Sequence, residues 1–275
     1  MFSVLILTLN EEHNLPSCLA SLAGCDDIVV LDSGSIDRTS AIAQAAGARV
    51  IVRAFTNFAD QRNFALDTVA FKNEWVFHLD ADEKFSSELL RECSDLAHRN
   101  SDDIDGYFAA PRMFFHGRWI PHCTDFPAYQ ARFGHARRFR FVQVGHGQRE
   151  QHGLHLGRLQ TNYLHNLSAH SDAELVEKHR RYSRQEAASF LARPPEDTSL
   201  ARRLFAADAL VRRRALKILG QHLPARSVLR FIYQYLLRRG FLDGRAGFSY
   251  CILLSRYEHW IAAEIRRQRR QALPA

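Results

Sequence analysis

The chain has 275 residues and a mass of 31.6 kDa, 46% of it hydrophobic and 24% charged. That is ample for a sizeable core and excludes the disordered, collagen-like and disulfide-stapled miniprotein classes. The net charge of +7 conceals an asymmetry: residues 1–177 carry 16 Lys and Arg against 23 Asp and Glu, whereas residues 178–275 carry 21 against 7, so two regions of different purpose are expected.

Short apolar, β-branched runs at Ser3–Leu9, Asp27–Leu31, Arg49–Val52 and Trp75–Leu79 alternate with stretches of helical spacing. This predicts an α/β class: a Rossmann-like, mostly parallel sheet flanked by helices. Between the first two runs Leu15, Leu19 and Leu22 fall at i, i+4, i+7, and between the second and third Ile42, Ala45 and Ala46 precede Gly47, a suitable C-cap. Right-handed crossovers place the C-terminal strand ends along one edge, where open α/β sheets bind ligands. The sequence puts polar residues at that edge: Thr8-Leu9-Asn10-Glu11, Asp32-Ser33-Gly34-Ser35 and Asp80-Ala81-Asp82-Glu83.

From 106 to 167 the pattern is irregular and rich in His, Arg, Gly and aromatics, with strand-like pieces at Tyr107–Ala110, Tyr129–Phe133, Phe139–Val144 and Thr161–Leu164. Residues 171–192 and 198–219 read as helices separated by Pro194-Pro195, and Pro224 opens a further helical region to about Arg270. The expected division is an α/β domain over 1–168 and a basic C-terminal helical extension over 169–275.

Several functional classes are excluded or disfavoured. GxGxxG and the Walker A loop are absent, which argues against hydride transfer and P-loop phosphoryl transfer. Cys18, Cys25, Cys93, Cys123 and Cys251 form no CxxC pair and are expected as reduced, mostly buried thiols. No window approaches the 18 or so apolar residues of a membrane span, and the first apolar run has no basic leader, so a cytoplasmic location is expected.

Asp80-Ala81-Asp82 leaves a strand at a sharp turn, and such a carboxylate pair can clamp Mg²⁺ or Mn²⁺ while phosphate oxygens and water fill the remaining positions. Two acidic residues can also simply end a strand and cap the helix near Ser86; position at the ligand edge favours the metal. Asp32 can accept from a nucleobase N–H or a ribose hydroxyl, whereas capping explains Ser35 and Asp37. Arg62, in the helix-starting stretch Asp60-Gln61-Arg62-Asn63, can reach a phosphate or line a solvated helix face.

Together, Leu7-Thr8-Leu9-Asn10-Glu11-Glu12, Val30-Leu31-Asp32-Ser33-Gly34-Ser35-Ile36-Asp37-Arg38-Thr39, Arg62-Asn63-Phe64-Ala65 and Leu79-Asp80-Ala81-Asp82-Glu83 resemble a family-two inverting glycosyltransferase of the GT-A fold. Phe115–Ile120, Val144–Glu150, Leu164-His165 and Glu177–Ser183 are similar to the branch that builds lipopolysaccharide core and exopolysaccharides, including lipooligosaccharide β-1,4-glucosyltransferases and colanic-acid-type transferases.

The resemblance implies transfer of a hexose from a nucleotide-diphosphate sugar, a UDP-sugar above all, to a lipid-linked or lipopolysaccharide glycan. It places Thr8, Asn10, Glu11, Asp32 and Ser33 near the nucleoside, Arg62 and Asp80 near ribose and diphosphate, and Asp82 on the metal with Asp80, a late histidine (His165) completing that site. The base lies after Asp82, with Glu150 favoured, Asp125 as substitute and His146 a further candidate, since His146 is followed by Gly147 where relatives carry His-Glu. The arginine clusters after residue 198, interleaved with aromatics, suit an anionic membrane face, so a peripheral position on the inner face of the cytoplasmic membrane is expected and nucleic acid is not. The alternative from another class is a non-catalytic nucleic-acid or membrane-surface module with purely structural carboxylates.

Overall fold

The structure is a computed structural model that describes residues 1–144, 147–169, 171–192, 199–207, 211–212, 215–216, 219–220 and 225–272. His146, Pro194-Pro195, Arg213, Arg214 and Pro224 lie outside the described residues. The chain divides into two compact units, Met1–Ser171 and Asp172–Ala275.

The first unit begins as the apolar runs dictate. Strands β1 (Ser3–Thr8), β2 (Ile28–Asp32), β3 (Arg49–Val52) and β4 (Trp75–Asp80) alternate with helices α1 (Leu15–Ala20), α2 (Thr39–Ala45) and α3 (Phe58–Thr68). All four strands are parallel, in the order β3-β2-β1-β4. β1 and β4 are buried almost throughout because helices cover both faces of such a sheet. Leu15, Leu19 and Leu22 are buried as their spacing requires. On α2 the inward residues are Thr39 and Ala43 with Ile42 half-buried, while Ala45 and Ala46 face out; the helix is rotated from the face expected, and Gly47, with φ of 78°, ends it.

The parallel order stops at β4. β5 (Glu83–Lys84), α4 (Ser87–Arg99), β6 (Gly106–Phe115), β7 (Arg118–Trp119), β8 (Gln130–His135) and β11 (Leu156–Asn166) continue the sheet as β4-β8-β6-β11-β5, with β7 on β6. β8 is antiparallel to both β4 and β6, β11 runs parallel to β6, and β5 is antiparallel to β11. β9 (Phe141–Val144) and β10 (Gly147–Glu150) form a separate antiparallel pair. The α/β class holds, with the parallel arrangement confined largely to its first half.

Aromatic rings fill the space beneath β4 and β8: Trp75, Phe77, Phe133 and Tyr163 are buried together, with Phe77 edge-on to Phe85 at 4.5 Å. The Trp75 indole N–H donates to Asn100 Oδ1 at 2.8 Å, which satisfies the single polar atom this core residue carries. Packing leaves no room at Gly134, where a Cβ would lie 2.6 Å from the Phe139 ring. At the N-terminal edge of the parallel strands, buried Asp27 accepts from Ser3 Oγ (2.6 Å), the Lys72 amide (2.8 Å) and Arg49 Nη2 (2.8 Å). These bonds hold its carboxyl below the usual range even though burial alone would raise it.

In the second unit, α5 (Asp172–Leu191) packs on α8 (Gly244–Ala272) through Ala187, Ile261 and Ile265. α6 covers Ser199–Leu204. The expected helical region to about Arg270 is built of several pieces. α7 (Arg226–Phe231) runs into a π-helical turn over Ile232–Leu237, Arg239 turns left-handed at φ 60°, and a 3-10 turn over Gly240–Asp243 precedes α8. Among the described residues no helix is long and apolar enough to cross a membrane.

Candidate active site

The parallel register sets the site. Thr8 is paired with Asp32 and Leu7 with Asp80, so the ends of β1, β2 and β4 stand side by side. The loops that follow β1 and β2 are stitched together. Asn10 N–H donates to Ser35 Oγ (2.8 Å) and Asn10 Oδ1 accepts from the Ile36 amide (3.0 Å). The Glu11 amide donates to Thr39 Oγ1 at 2.8 Å, and Glu12 accepts from the Arg38 amide at 3.2 Å. Asn10 takes a left-handed φ of 56°, a conformation asparagine tolerates better than most residues.

Asp32 organises this loop pair from beneath. It is 1% exposed, and its carboxylate accepts from Thr8 Oγ1 (2.9 Å), the Gly34 and Ser35 amides (2.9 and 2.7 Å) and Ser35 Oγ (2.5 Å). Four donors saturate a carboxylate. Asp32 and Thr8 thus hold the two loops together from beneath. Ser33 Oγ accepts from Gln61 Nε2 at 3.3 Å.

Helix α3 ties the two halves of the unit together through three consecutive residues. Asn57 caps it by accepting from the Asp60 amide at 2.8 Å. Gln61, fully buried, turns toward Ser33 and Arg53; Asn63 exchanges two hydrogen bonds of 2.9 Å with the backbone of Phe141 on β9. Between them Arg62, 1% exposed, donates from Nη2 to Asp80 Oδ1 at 2.5 Å, and its Nε and Nη1 have no hydrogen-bond partner. Arg62 thus acts on Asp80 from inside the protein and does not project into solvent.

Asp80 is gripped from the other side by Arg132 of β8, whose Nη1 and Nη2 each lie 3.2 Å from Oδ2. Arg132 Nη2 also donates to Glu83 Oε1 at 2.8 Å, and Glu83 Oε2 accepts the Asp80 amide at 2.9 Å. Burial opposes ionisation of Asp80, yet Arg132 and Arg62 outweigh it and hold the carboxyl well below the usual range. Glu83, fully buried, is pushed up to about 7 by burial and by Asp80 and Asp82, against the pull of Arg132.

Pairing of β5 with β11 places His165 opposite Glu83, and the Asn166 amide donates to the Asp82 carbonyl at 3.1 Å. The result is that His165 Nε2 lies 3.5 Å from Asp82 Oδ2, with side chains 20% and 13% exposed. His165 Nδ1 is buried without a hydrogen-bond partner. Burial would lower the His165 pKa, but Asp82, Glu83 and Asp80 raise it. Asp82 and His165 supply an oxygen and a nitrogen facing one another, a donor set that fits a divalent cation such as Mg²⁺ or Mn²⁺. Among the described residues no group of three His, Cys, Asp or Glu side chains is arranged to hold a metal ion, and Asp80 accepts hydrogen bonds from Arg62 and Arg132.

Glu150 ends β10, half-buried and opposite Phe141, whose ring stands 5.8 Å from the Arg62 guanidinium and 4.8 Å from the His78 ring. Asp125 is half-buried in the loop before β8, at a left-handed φ of 56°. Glu83 belongs to the Asp80–Glu83 turn already placed at the ligand edge, whereas Arg132 and His78 were not expected in the site. His78 is fully buried with both ring nitrogens unpartnered, and burial beside Arg62 and Arg132 keeps it neutral. A histidine within the apolar stretch Trp75–Leu79 was the one visible signal; Arg132 and Glu83 reach Asp80 only through the antiparallel β8 and the turn after β4.

The Glycosyl transferase family 2 model matches residues 3–147. The lipopolysaccharide core biosynthesis glycosyltransferase LpsC of Rhizobium meliloti (strain 1021) is 38% identical over 120 residues, 42% of this chain and 43% of that protein. An uncharacterized glycosyltransferase of Rickettsia bellii (strain RML369-C) is 36% identical over 107 residues, 38% of this chain and 36% of its own length. These matches thus span less than half the length of the curated relatives. Among solved structures, S. aureus TarS 1–349 aligns over 97% of this chain and 91% of its own at 16% identity and a TM-score of 0.45. Glucosyl-3-phosphoglycerate synthase from Mycobacterium tuberculosis, solved with Mn²⁺, UDP and glucosyl-3-phosphoglycerate, aligns over 72% and 82% at 17% identity and a TM-score of 0.46. The family match takes in the strand ends and loops of Thr8, Asp32 and Asp80–Asp82 together with Arg62 of α3, and the chain belongs to glycosyltransferase family 2.

Proposed function

We propose that the chain is a metal-dependent inverting glycosyltransferase that moves a hexose from a nucleotide-diphosphate sugar, specifically a UDP-sugar, to a lipid-linked or lipopolysaccharide glycan in envelope polysaccharide synthesis. The observation that carries this reading is the approach of Asp82 to His165 at the end of β4, beside an Asp80 held ionised by two buried arginines. The similarity to LpsC, whose name places it in lipopolysaccharide core biosynthesis, supports the acceptor class.

In this reading the stitched loops after β1 and β2, with Asn10, Glu11 and Ser33 on them and Thr8 and Asp32 beneath, receive the nucleoside. Asp82 and His165 would hold the cation, Mg²⁺ or Mn²⁺, which when bound would supply Lewis acidity to offset the charge growing on the leaving diphosphate. Arg62 and Arg132 fix the Asp80 carboxylate so that the Asp82 side chain leaves the strand in one direction. An acceptor hydroxyl must lose a proton as it attacks from the face opposite the diphosphate, which inverts the anomeric centre. Glu150 is the proposed base, with Asp125 and His146 as the other candidates. The N-terminal 168 residues form the catalytic part, and the basic C-terminal region holds the enzyme on the inner face of the cytoplasmic membrane.

Thermal unfolding of the full chain with a panel of nucleotide sugars, with and without Mn²⁺, tests this directly. A donor at about a hundred times its Kd stabilises the fold by about 2.7 kcal/mol. The expected result is a metal-dependent rise in Tm with one donor that Asp82→Ala removes; a rise that Asp82→Ala and chelation leave untouched contradicts the proposal.

A further inference from the structure

Water sorts a helix surface so that leucine turns inward and charged or amide groups turn outward. Residues 226–243 are sorted the other way. Arg226, Gln234 and Asp243 are buried, whereas Val228, Leu229, Ile232, Leu236, Leu237 and Phe241 are between 39% and 71% exposed. The polar side is turned toward α8: Arg226 donates from Nε and Nη2 to Glu258 Oε2 at 2.8 and 2.5 Å, and Ser255 Oγ donates to the Ser227 carbonyl at 2.9 Å. Val228, Ile232 and Leu236 recur every four residues, as do Leu229 and Leu237 on either side of Tyr233, so through α7 and the π-helical turn these outward apolar groups fall on successive turns as a stripe.

The charge beside the stripe has a single sign. Residues 225–257 contain six arginines and one acidic residue, Asp243, which is buried. Arg239, Arg245 and Arg256 are exposed, and Arg230 and Arg238 half-buried. An isologous contact with a second copy would set these arginines against themselves. An apolar stripe bordered by arginines and by the aromatic cluster of Phe231, Tyr235 and Phe248 matches an anionic lipid surface, with apolar side chains below the headgroups and guanidiniums among the phosphates.

We infer that residues 226–243, and not the arginine-rich end of α8, are the element that inserts into an anionic phospholipid surface. This deepens the membrane-face part of the proposed function, and its test contains neither sugar donor nor acceptor. The 275-residue chain is sedimented with vesicles of phosphatidylcholine alone and of phosphatidylcholine and phosphatidylglycerol in equal parts. Pelleting with the anionic vesicles is expected, weakened by salt. Leu236→Ser with Leu237→Ser should lower the partition about tenfold or more, since each leucine withdraws several buried carbons. Arg238→Gln with Arg239→Gln should weaken anionic binding alone, and Arg266→Gln with Arg267→Gln should change it far less. Circular dichroism and the donor-dependent Tm rise check that the variants fold, and failure of the donor assay leaves vesicle binding readable. The inference is overturned if the protein does not pellet with anionic vesicles, if the leucine pair leaves pelleting unchanged, or if those leucines instead govern a dimer seen by sedimentation equilibrium.

Discussion

Arg132 is the residue on which the buried charges of the site depend, so its replacement gives a demanding test. Arg132→Met removes the group bonded to Glu83 at 2.8 Å and to Asp80 at 3.2 Å, leaving a fully buried Glu83 facing Asp80 and Asp82. Breaking one side of a buried ion pair costs about 3–5 kcal/mol, whereas removing both partners costs far less. Arg132→Met with Glu83→Leu is therefore expected to recover about 2 kcal/mol or more relative to the sum of the single variants. Urea unfolding followed by Trp75 fluorescence, in a Trp119→Phe, Trp260→Phe background, reads this out. With a slope of about 2 kcal/mol per molar, the single variant lowers the midpoint by roughly 2 M. A cost below about 1 kcal/mol, or a double variant as unstable as the two singles added, refutes the assignment of Arg132 as the cation that compensates Glu83.

Other sites give independent checks. Asn63→Ala removes the paired hydrogen bonds between α3 and β9, and a loss of about 1–3 kcal/mol is expected together with faster native-state hydrogen exchange at the Phe141 amide. Gly134→Ala drives a Cβ into the Phe139 ring and should cost about 1–3 kcal/mol by thermal unfolding. Asp27→Asn should destabilise by a similar amount, about 1–3 kcal/mol, at neutral pH. Because the folded pKa of Asp27 is depressed, its stabilisation is present above the unfolded value of about 3.9 and is lost as pH falls through the folded one. The gap in Tm between wild type and Asp27→Asn should accordingly hold down to about pH 4 and close below it; a gap that widens on acidification contradicts this.

What could be read from the sequence, and what could not, follows from how far apart the partners lie along the chain. The runs ending at Thr8, Asp32 and Asp80 announce parallel strands because each is apolar, short and followed by a polar turn, and the right-handed crossover rule then brings their ends together. Asp82 with His165 was reached through family resemblance, and the β5–β11 pairing gives its physical basis. Arg132 was invisible: nothing local in Gln130–His135 says that this strand turns antiparallel against β4, and an arginine in a strand reads as exposed until the sheet closes around it. The loop bonds of Asp32 were not predicted for a related reason: a carboxylate at a strand end can accept from a ligand or from its own loop, and the Gly34 and Ser35 amides donate to it here. The break in the C-terminal helix at Arg239 has no signal stronger than Gly240 beside it, since arginine is a good helix former.

The most direct test of the central claim is nucleotide release from a panel of UDP-sugars in the presence of a lipid-glycan extract, with Mn²⁺ or Mg²⁺ present or chelated, for wild type and Asp82→Ala. Turnover of one UDP-sugar that needs the cation, the extract and Asp82 is expected. Turnover that survives both chelation and Asp82→Ala, or its absence with every nucleotide sugar tried, contradicts the claim.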